Sequence, residues 1–222
     1  MGLLLKGGRV VDFVSDFCGD IYIKDGKIIE CGDNLNYSCK TINCDGLVVM
    51  PSFTDMHVHF REPGYEYKED IHSGSLAALR GGYTCVNLMA NTNPICSNME
   101  IVDFILNRAR ELDLIDIHQT VAITKNFDGK TIDHIDNLDS SVKFLSDDGK
   151  CVKDNLVMYN ALKKAKEKGL TIIAHEEDDS LVDFDTRLSE NIMTKRDIEL
   201  ARSINGRIHF AHVSTKEAIS DI

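Results

Sequence analysis

The chain has 222 residues, 43% hydrophobic and 27% charged, with a formal net charge of -11. That acidity disfavours nucleic acid and anionic membrane surfaces as partners, and no run of 18 apolar residues is present to span a bilayer. Met1-Gly2-Leu3-Leu4-Leu5-Lys6 lacks the apolar length and cleavage site of a secretory signal. The seven cysteines, with no Cys-x-x-Cys pair, therefore read as reduced thiols of a cytoplasmic protein.

Residues 1–50 read as β-rich. Ile21-Tyr22-Ile23 and Lys27-Ile28-Ile29 flank Asp25-Gly26, a dipeptide that favours a two-residue hairpin because both positions tolerate positive φ. Gly46 to Met50 gives another short strand. From residue 51 the pattern changes to alternating strands and helices, with strands predicted at 53–59, 83–89, 117–124, 142–147, 171–175 and 207–212. Gly81-Gly82 closes one helix. Ser97-x-x-Glu100 reads as a capping box before Ile101, Val102, Phe104 and Ile105. Asp154 caps a helix through Leu156, Ala161, Leu162 and Ala165, which ends in a lysine-rich turn before Gly169, as the helix dipole and C-cap preferences require. Such alternation implies an α/β fold, a parallel sheet covered by helices, either open and doubly wound or a (β/α) barrel. No glycine-rich phosphate loop follows a strand, so a dinucleotide fold is disfavoured.

The run Asp55-Met56-His57-Val58-His59-Phe60-Arg61-Glu62-Pro63-Gly64 is the most informative stretch. At a strand end, the period of two points Asp55, His57 and His59 to one face and Met56 and Val58 to the other. Two neighbouring imidazoles suit a metal such as zinc. In barrels, chemistry gathers at the C-terminal strand ends, and three further residues fit that rule. Asp148 ends the fourth strand, sharing its face with Phe144 and Ser146. His175 ends the fifth, with Ile173. His212 ends the sixth, with Phe210 and Ile208. Four imidazoles and a carboxylate at one rim point to a metal site, binuclear in its donor count. The other histidines serve as controls: His72 and His134 read as surface residues, His118 starts its strand, and His209 is expected to face outward. Arg61 can reach the mouth of the site, where its planar fork suits a substrate carboxylate; the alternative is a surface ion pair. Asn91, just past the second strand, either shares that carboxylate or caps a turn before Pro94.

These motifs, with Glu66-Tyr67-Lys68-Glu69-Asp70, Met89-Ala90-Asn91-Thr92-Asn93-Pro94, Ser146-Asp147-Asp148-Gly149, Ala174-His175-Glu176-Glu177 and Ala211-His212-Val213-Ser214-Thr215-Lys216, resemble in order those of the amidohydrolase superfamily, and within it the longer bacterial dihydroorotases. The resemblance implies a (β/α)8 TIM-type barrel from 51 to 222, with residues 1–50 as the N-terminal part of a small β-sandwich. It implies that His57 and His59 hold one zinc ion, that His175 and His212 hold the other, and that Asp148 contacts or bridges the pair. Arg61 and Asn91 would hold the substrate carboxylate. The activity implied is reversible interconversion of dihydroorotate and N-carbamoyl-aspartate in pyrimidine synthesis. A carboxylated lysine bridges the metals in hydantoinases and some dihydroorotases. Lys150 shares parity with Asp148 but lies beyond Gly149, and the Ser-Asp-Asp-Gly pattern resembles the aspartate type.

One departure from the family is large. Only 172 residues follow position 50, against roughly 250 for a whole barrel, so about six of eight βα units are expected. The strand-eight aspartate that the family uses as catalytic proton shuttle has no counterpart, and the expectation is an inactive fragment with two open sheet edges. Two other readings stay open: a sister cyclic amidase such as a hydantoinase or allantoinase, or a non-catalytic partner of aspartate carbamoyltransferase. A homodimer is the remaining assembly to test.

Overall fold

Asp25 and Gly26 both adopt positive φ, 50° and 76°, the left-handed pair that a tight hairpin needs. They join β2 (Asp16–Lys24) to β3 (Lys27–Gly32) as the sequence predicts. β1 (Gly2–Val11) pairs antiparallel with β2 and parallel with β4 (Lys40–Asn43) and β5 (Val48–Val49). The computed structural model describes residues 1–222 and divides into two units, Met1–Ser52, which holds this sheet, and Phe53–Ile222.

The second unit is built on six parallel strands: β6 (Phe53–Val58), β7 (Tyr83–Leu88), β8 (Asp116–Gln119), β9 (Phe144–Leu145), β10 (Thr171–Ala174) and β11 (Ile208–Phe210). They pair as β6-β7-β8 and β9-β10-β11, all parallel. A bridge between Val121 and Leu145 joins the two sets, so the strands run in chain order. Helices α1 (Ile71–Arg80), α2 (Met99–Leu112), α3 (Asn155–Lys168) and α4 (Thr186–Ile204) make the connections, and α5 (Lys216–Asp221) follows the last strand. Asp154 caps α3 through Leu156 and Val157, and Gly169 ends it in the left-handed region at φ 72°. None of the helices is long and apolar enough to cross a membrane.

Alternate residues separate the two faces of the array. Val58, Val86, Leu88, Leu145, Ile172 and Ile208 pack with the helices in the large core, whereas Met89, Phe144, Ile173 and Ala211 form a small cluster of their own. Ile172 and Ile173 are neighbours in sequence yet belong to different clusters, as the period of two demands.

Several expectations need correction. The third strand stops at Gln119: the Thr120 amide still bonds β7 at Leu88 O, but the next two turn elsewhere, Val121 to Phe144 O and Ala122 to Cys96 O. The fourth is reduced to two residues. Asn98, not Ser97, caps α2, accepting from Ile101 N at 3.0 Å; the Ser97 hydroxyl instead accepts from Asn126 N. His134 is buried, with Nε2 2.8 Å from Ala122 O, because the short 3-10 segment Asp133–Asn137 is tucked against the core. His209 does not face the helices: Ile208 and Ala211 lie on opposite faces, so His209 shares the face of Ala211.

Candidate metal centre

Asp148 is the hub of the site. Its side chain is 8% exposed, and four imidazoles surround it. His57 Nε2 lies 3.2 Å from Oδ1, His212 Nε2 3.5 Å and His175 Nδ1 3.6 Å, while His59 Nε2 lies 3.5 Å from Oδ2. The ring centroids of His57 and His59 are 5.1 Å apart, those of His57 and His212 5.4 Å, and those of His175 and His212 4.8 Å. Adjacent strands in a flat sheet lie about 4.8 Å apart, which would put the first and sixth roughly 24 Å from each other. The approach of His57 to His212 therefore requires the array to curl into an arc with the cluster on its inner side.

Three of the four donor-bearing strands deliver their residues by alternation. Val58 enters the core, so His57 points the opposite way; Ile173 and His175 share a face; Phe144 lies on the same side. His212 arrives differently. Ile208 packs with the helices, so the face it shares with Phe210 is not the inner one, and the parity assigned from sequence is wrong for β11. The strand ends at Phe210, and His212 adopts φ 41°, a left-handed conformation that costs a non-glycine residue roughly 1–3 kcal/mol. That turn brings the imidazole onto the cluster, with its Nε2 3.0 Å from His175 Nδ1.

Asn91 joins the cluster at both ends of its amide. Nδ2 donates to Asp148 Oδ2 at 3.1 Å, and Oδ1 lies 2.9 Å from His59 Nδ1. A carbonyl oxygen only accepts, so His59 carries its proton on Nδ1 and leaves the Nε2 lone pair free on the side of Asp148. The loop that bears Asn91 is interlocked with the loop after β6. Asn93 N donates to Pro63 O at 2.9 Å, and Gly64, at φ 95°, presses on Asn93 so closely that a Cβ would stand 1.9 Å from its carbonyl oxygen. Arg61 sits at this junction with φ 64°. No carboxylate of the chain pairs with its guanidinium, so the surface ion pair considered above does not form. Lys150 lies in the turn after Asp148, its amide donating to Asp147 O at 2.7 Å.

The electrostatics match the geometry. Burial works against the Asp148 anion, but the imidazoles of His175, His212 and His57 that face it hold its carboxyl far below the usual range. Burial lowers His59, against the opposing pull of Asn91 and Asp148, which favours the neutral form that ligates. His212 is raised by its bond to Asp148. His57 Nδ1 is buried without a hydrogen-bond partner.

This donor set fits a metal ion. Ligands of a tetrahedral zinc at about 2.1 Å stand roughly 3.4 Å from one another, close to the spacings measured around Asp148, and the ligand atoms of His57, Asp148 and His212 all lie within 4.8 Å of one another. A cavity of about 400 Å³ opens beside His175 and His212, lined also by Glu177, Arg187, Glu190 and Thr215.

Three acidic residues near the rim have no role in the site expected from sequence. Asp147, next to the hub, accepts from the Thr124 amide and hydroxyl. Glu176 follows His175, is buried beside Asp197, and has neither carboxyl oxygen hydrogen-bonded; burial and the Asp197 charge push its carboxyl well above the usual range. Glu190 bonds the loop after β11. None carries a local signature, because each contact is made with another element.

Parallel β/α units carrying a histidine–aspartate cluster at their C-terminal strand ends define the class of barrel proteins that gather their functional groups at that rim. Residues 46–187 match the dihydro-orotase-like family model, and the chain belongs to that family. It is 49% identical over 225 residues to the dihydroorotase of Clostridium botulinum (strain Eklund 17B / Type B), with 100% of this chain and 56% of that protein covered. For the dihydroorotase of Streptococcus pneumoniae serotype 4 the identity is 37%, with 98% and 56% covered. The chain thus spans a little over half the length of the curated relatives it matches. Among solved structures, a D-hydantoinase superposes with a TM-score of 0.83 at 23% identity, over 100% of this chain and 54% of that one. A dihydropyrimidinase from Brevibacillus agri NCHU1002 gives 0.84 at 20% identity, with 100% and 54% covered. The fold is therefore that of these structures, and the chain supplies six of its parallel strands.

Proposed function

We propose that the chain carries the metal-binding part of a dihydroorotase active site, in which His57, His59, Asp148, His175 and His212 hold zinc and the substrate is dihydroorotate or N-carbamoyl-aspartate. The observation that carries this reading is the convergence of four imidazoles on one buried carboxylate, from strands that span the whole array. Bound there, zinc supplies Lewis-acid polarisation of an amide carbonyl and a nucleophilic water at neutral pH.

The remaining work falls to the chain's own residues. Asp148 supplies the negative charge that offsets the metal. Asn91 fixes the tautomer of His59 and holds Asp148 in register. The Arg61 guanidinium, free of internal partners and near enough for its charge to act on His59, is the anion-binding group for a substrate carboxylate, and the second amide hydrogen of Asn91 is available to assist it. Holding the carboxylate fixes the ring relative to the cluster, and orientation of this kind lowers the barrier to attack. Dihydroorotate is favoured over hydantoin by this pairing, because hydantoin brings no carboxylate to Arg61.

The test is calorimetric titration of dihydroorotate, N-carbamoyl-aspartate and hydantoin into the zinc-loaded chain and its Arg61→Ala variant, alongside assays of ring opening. Binding of the two carboxylate ligands, weakened at least tenfold in the variant, is the expected result. Equal binding of hydantoin, or no effect of the substitution, would overturn the assignment.

A further inference from the structure

His212 is the one proposed ligand that strand alternation does not deliver, and a residue outside the cluster holds the loop behind it. The last ladder bond of β11 is Ala211 N to Ala174 O, so His212 leaves the sheet with its own backbone amide outside the ladder. Glu190, in the second turn of α4, takes over from there. Its Oε1 accepts from the amides of Ser214 and Thr215, both at 3.0 Å, and its Oε2 accepts from the Ser214 hydroxyl. The adjacent Asn191 accepts from the Thr215 hydroxyl.

These bonds are not a helix cap. Thr215 itself caps α5 by accepting from Ala218 N, and the two amides that Glu190 binds belong to the cap residue and the residue before it. Nor are they what docks α5 on α4, because Arg187–Glu217 and Lys195–Asp221 ion pairs join those helices independently. What Glu190 fixes is the path of residues 213–215, immediately after the left-handed turn at His212.

We propose that Glu190 is a positioning residue, whose carboxylate locks the 212–215 loop in the form that turns the His212 imidazole onto Asp148. The proposal rests on the metal site assigned above. A metal ligand on a strained backbone needs such a support, because relaxation of His212 to negative φ would carry the ring away from the other donors.

The test follows the imidazole resonances of the chain, labelled with 15N-histidine, during titration with zinc alone. In the wild-type chain His57, His59, His175 and His212 are expected to shift together. In Glu190→Ala the His212 resonance should respond only at about tenfold higher zinc or more, in the range usual for loss of a supporting hydrogen bond, while His57 and His59 still respond. Glu190→Gln should restore the wild-type response, since its carboxamide oxygen can accept from both amides and its nitrogen can donate to Ser214 Oγ.

An unchanged His212 response in Glu190→Ala would overturn the proposal, as would a loss in Glu190→Gln as complete as in the alanine variant. Should Glu190→Ala not fold, Ser214→Ala, which removes one of the three bonds, decides the matter: a weakened response confined to His212 supports the clamp, and an unchanged one overturns it. Absence of any histidine response in the wild-type chain would instead refute the metal site itself, and the clamp with it.

Discussion

At the scale of single residues, the site depends on positions that tolerate no ordinary substitution. Gly64 combines a positive φ with a contact in which any Cβ meets the Asn93 carbonyl oxygen at 1.9 Å, and backbone cannot yield as a flexible side chain would. Gly64→Ala is expected to destabilise the fold by on the order of 3 kcal/mol or more, read as a drop in the urea midpoint; a change under about 1 kcal/mol would show that the loops can separate. Asp147 sets a different constraint. Burial raises its carboxyl to about 6, against the opposing hydrogen bonds of Thr124. The native state therefore holds that proton to higher pH than the unfolded chain does. The associated stability is fully present below the unfolded pKa near 4 and declines as pH rises to about 6, by on the order of 3 kcal/mol at most. Asp147→Asn, which keeps an acceptor for Thr124, should remove that decline in metal-free denaturation curves between pH 4 and pH 7. An unaltered pH slope in the variant would place the titration elsewhere.

At the scale of elements, the sequence made the strand–helix order legible because its signals are local. Asp25-Gly26 encodes its own turn, and Asp154 and Gly169 bracket α3 by chemistry confined to one helical turn at each end. Asp154→Ala should accordingly lower stability by about 1 kcal/mol, seen as a modest fall in Tm, with zinc affinity unchanged because α3 contributes no donor. His57, His59, Asp148 and His175 were likewise legible, since a period of two needs only the strand and its register. His212 was legible as a residue type and misplaced in geometry: the strand ends two residues earlier, and the left-handed turn that redirects the ring is held by Glu190, 22 positions upstream. The same limit explains Asn98, which displaced Ser97 as a cap because the Ser97 hydroxyl is engaged by Asn126. Long-range hydrogen bonds have no periodicity to read. His134 and His209 illustrate the converse, polar residues assigned to the surface or the outer face that neighbouring elements enclose or turn inward.

At the scale of the whole molecule, the donors report on assembly of the complete six-strand array, because no subset of adjacent strands holds more than part of the cluster. Zinc at about 100 times its Kd should raise unfolding free energy by about 2.7 kcal/mol if the unfolded chain does not compete for it, and a chelator should reverse the gain; an unshifted Tm would mean that the donors do not act as one site. The curl of the array gives this linkage a spatial pattern. β6 and β11 share no ladder, yet they supply His57 and His212, whose rings lie 5.4 Å apart. A shared ion would act as a tie across an unlaced seam, closing a circuit through the chain that hydrogen bonding leaves open. Its removal should then be felt first as faster amide exchange in β6 and β11, while β7 and β10, paired on both sides, keep their protection.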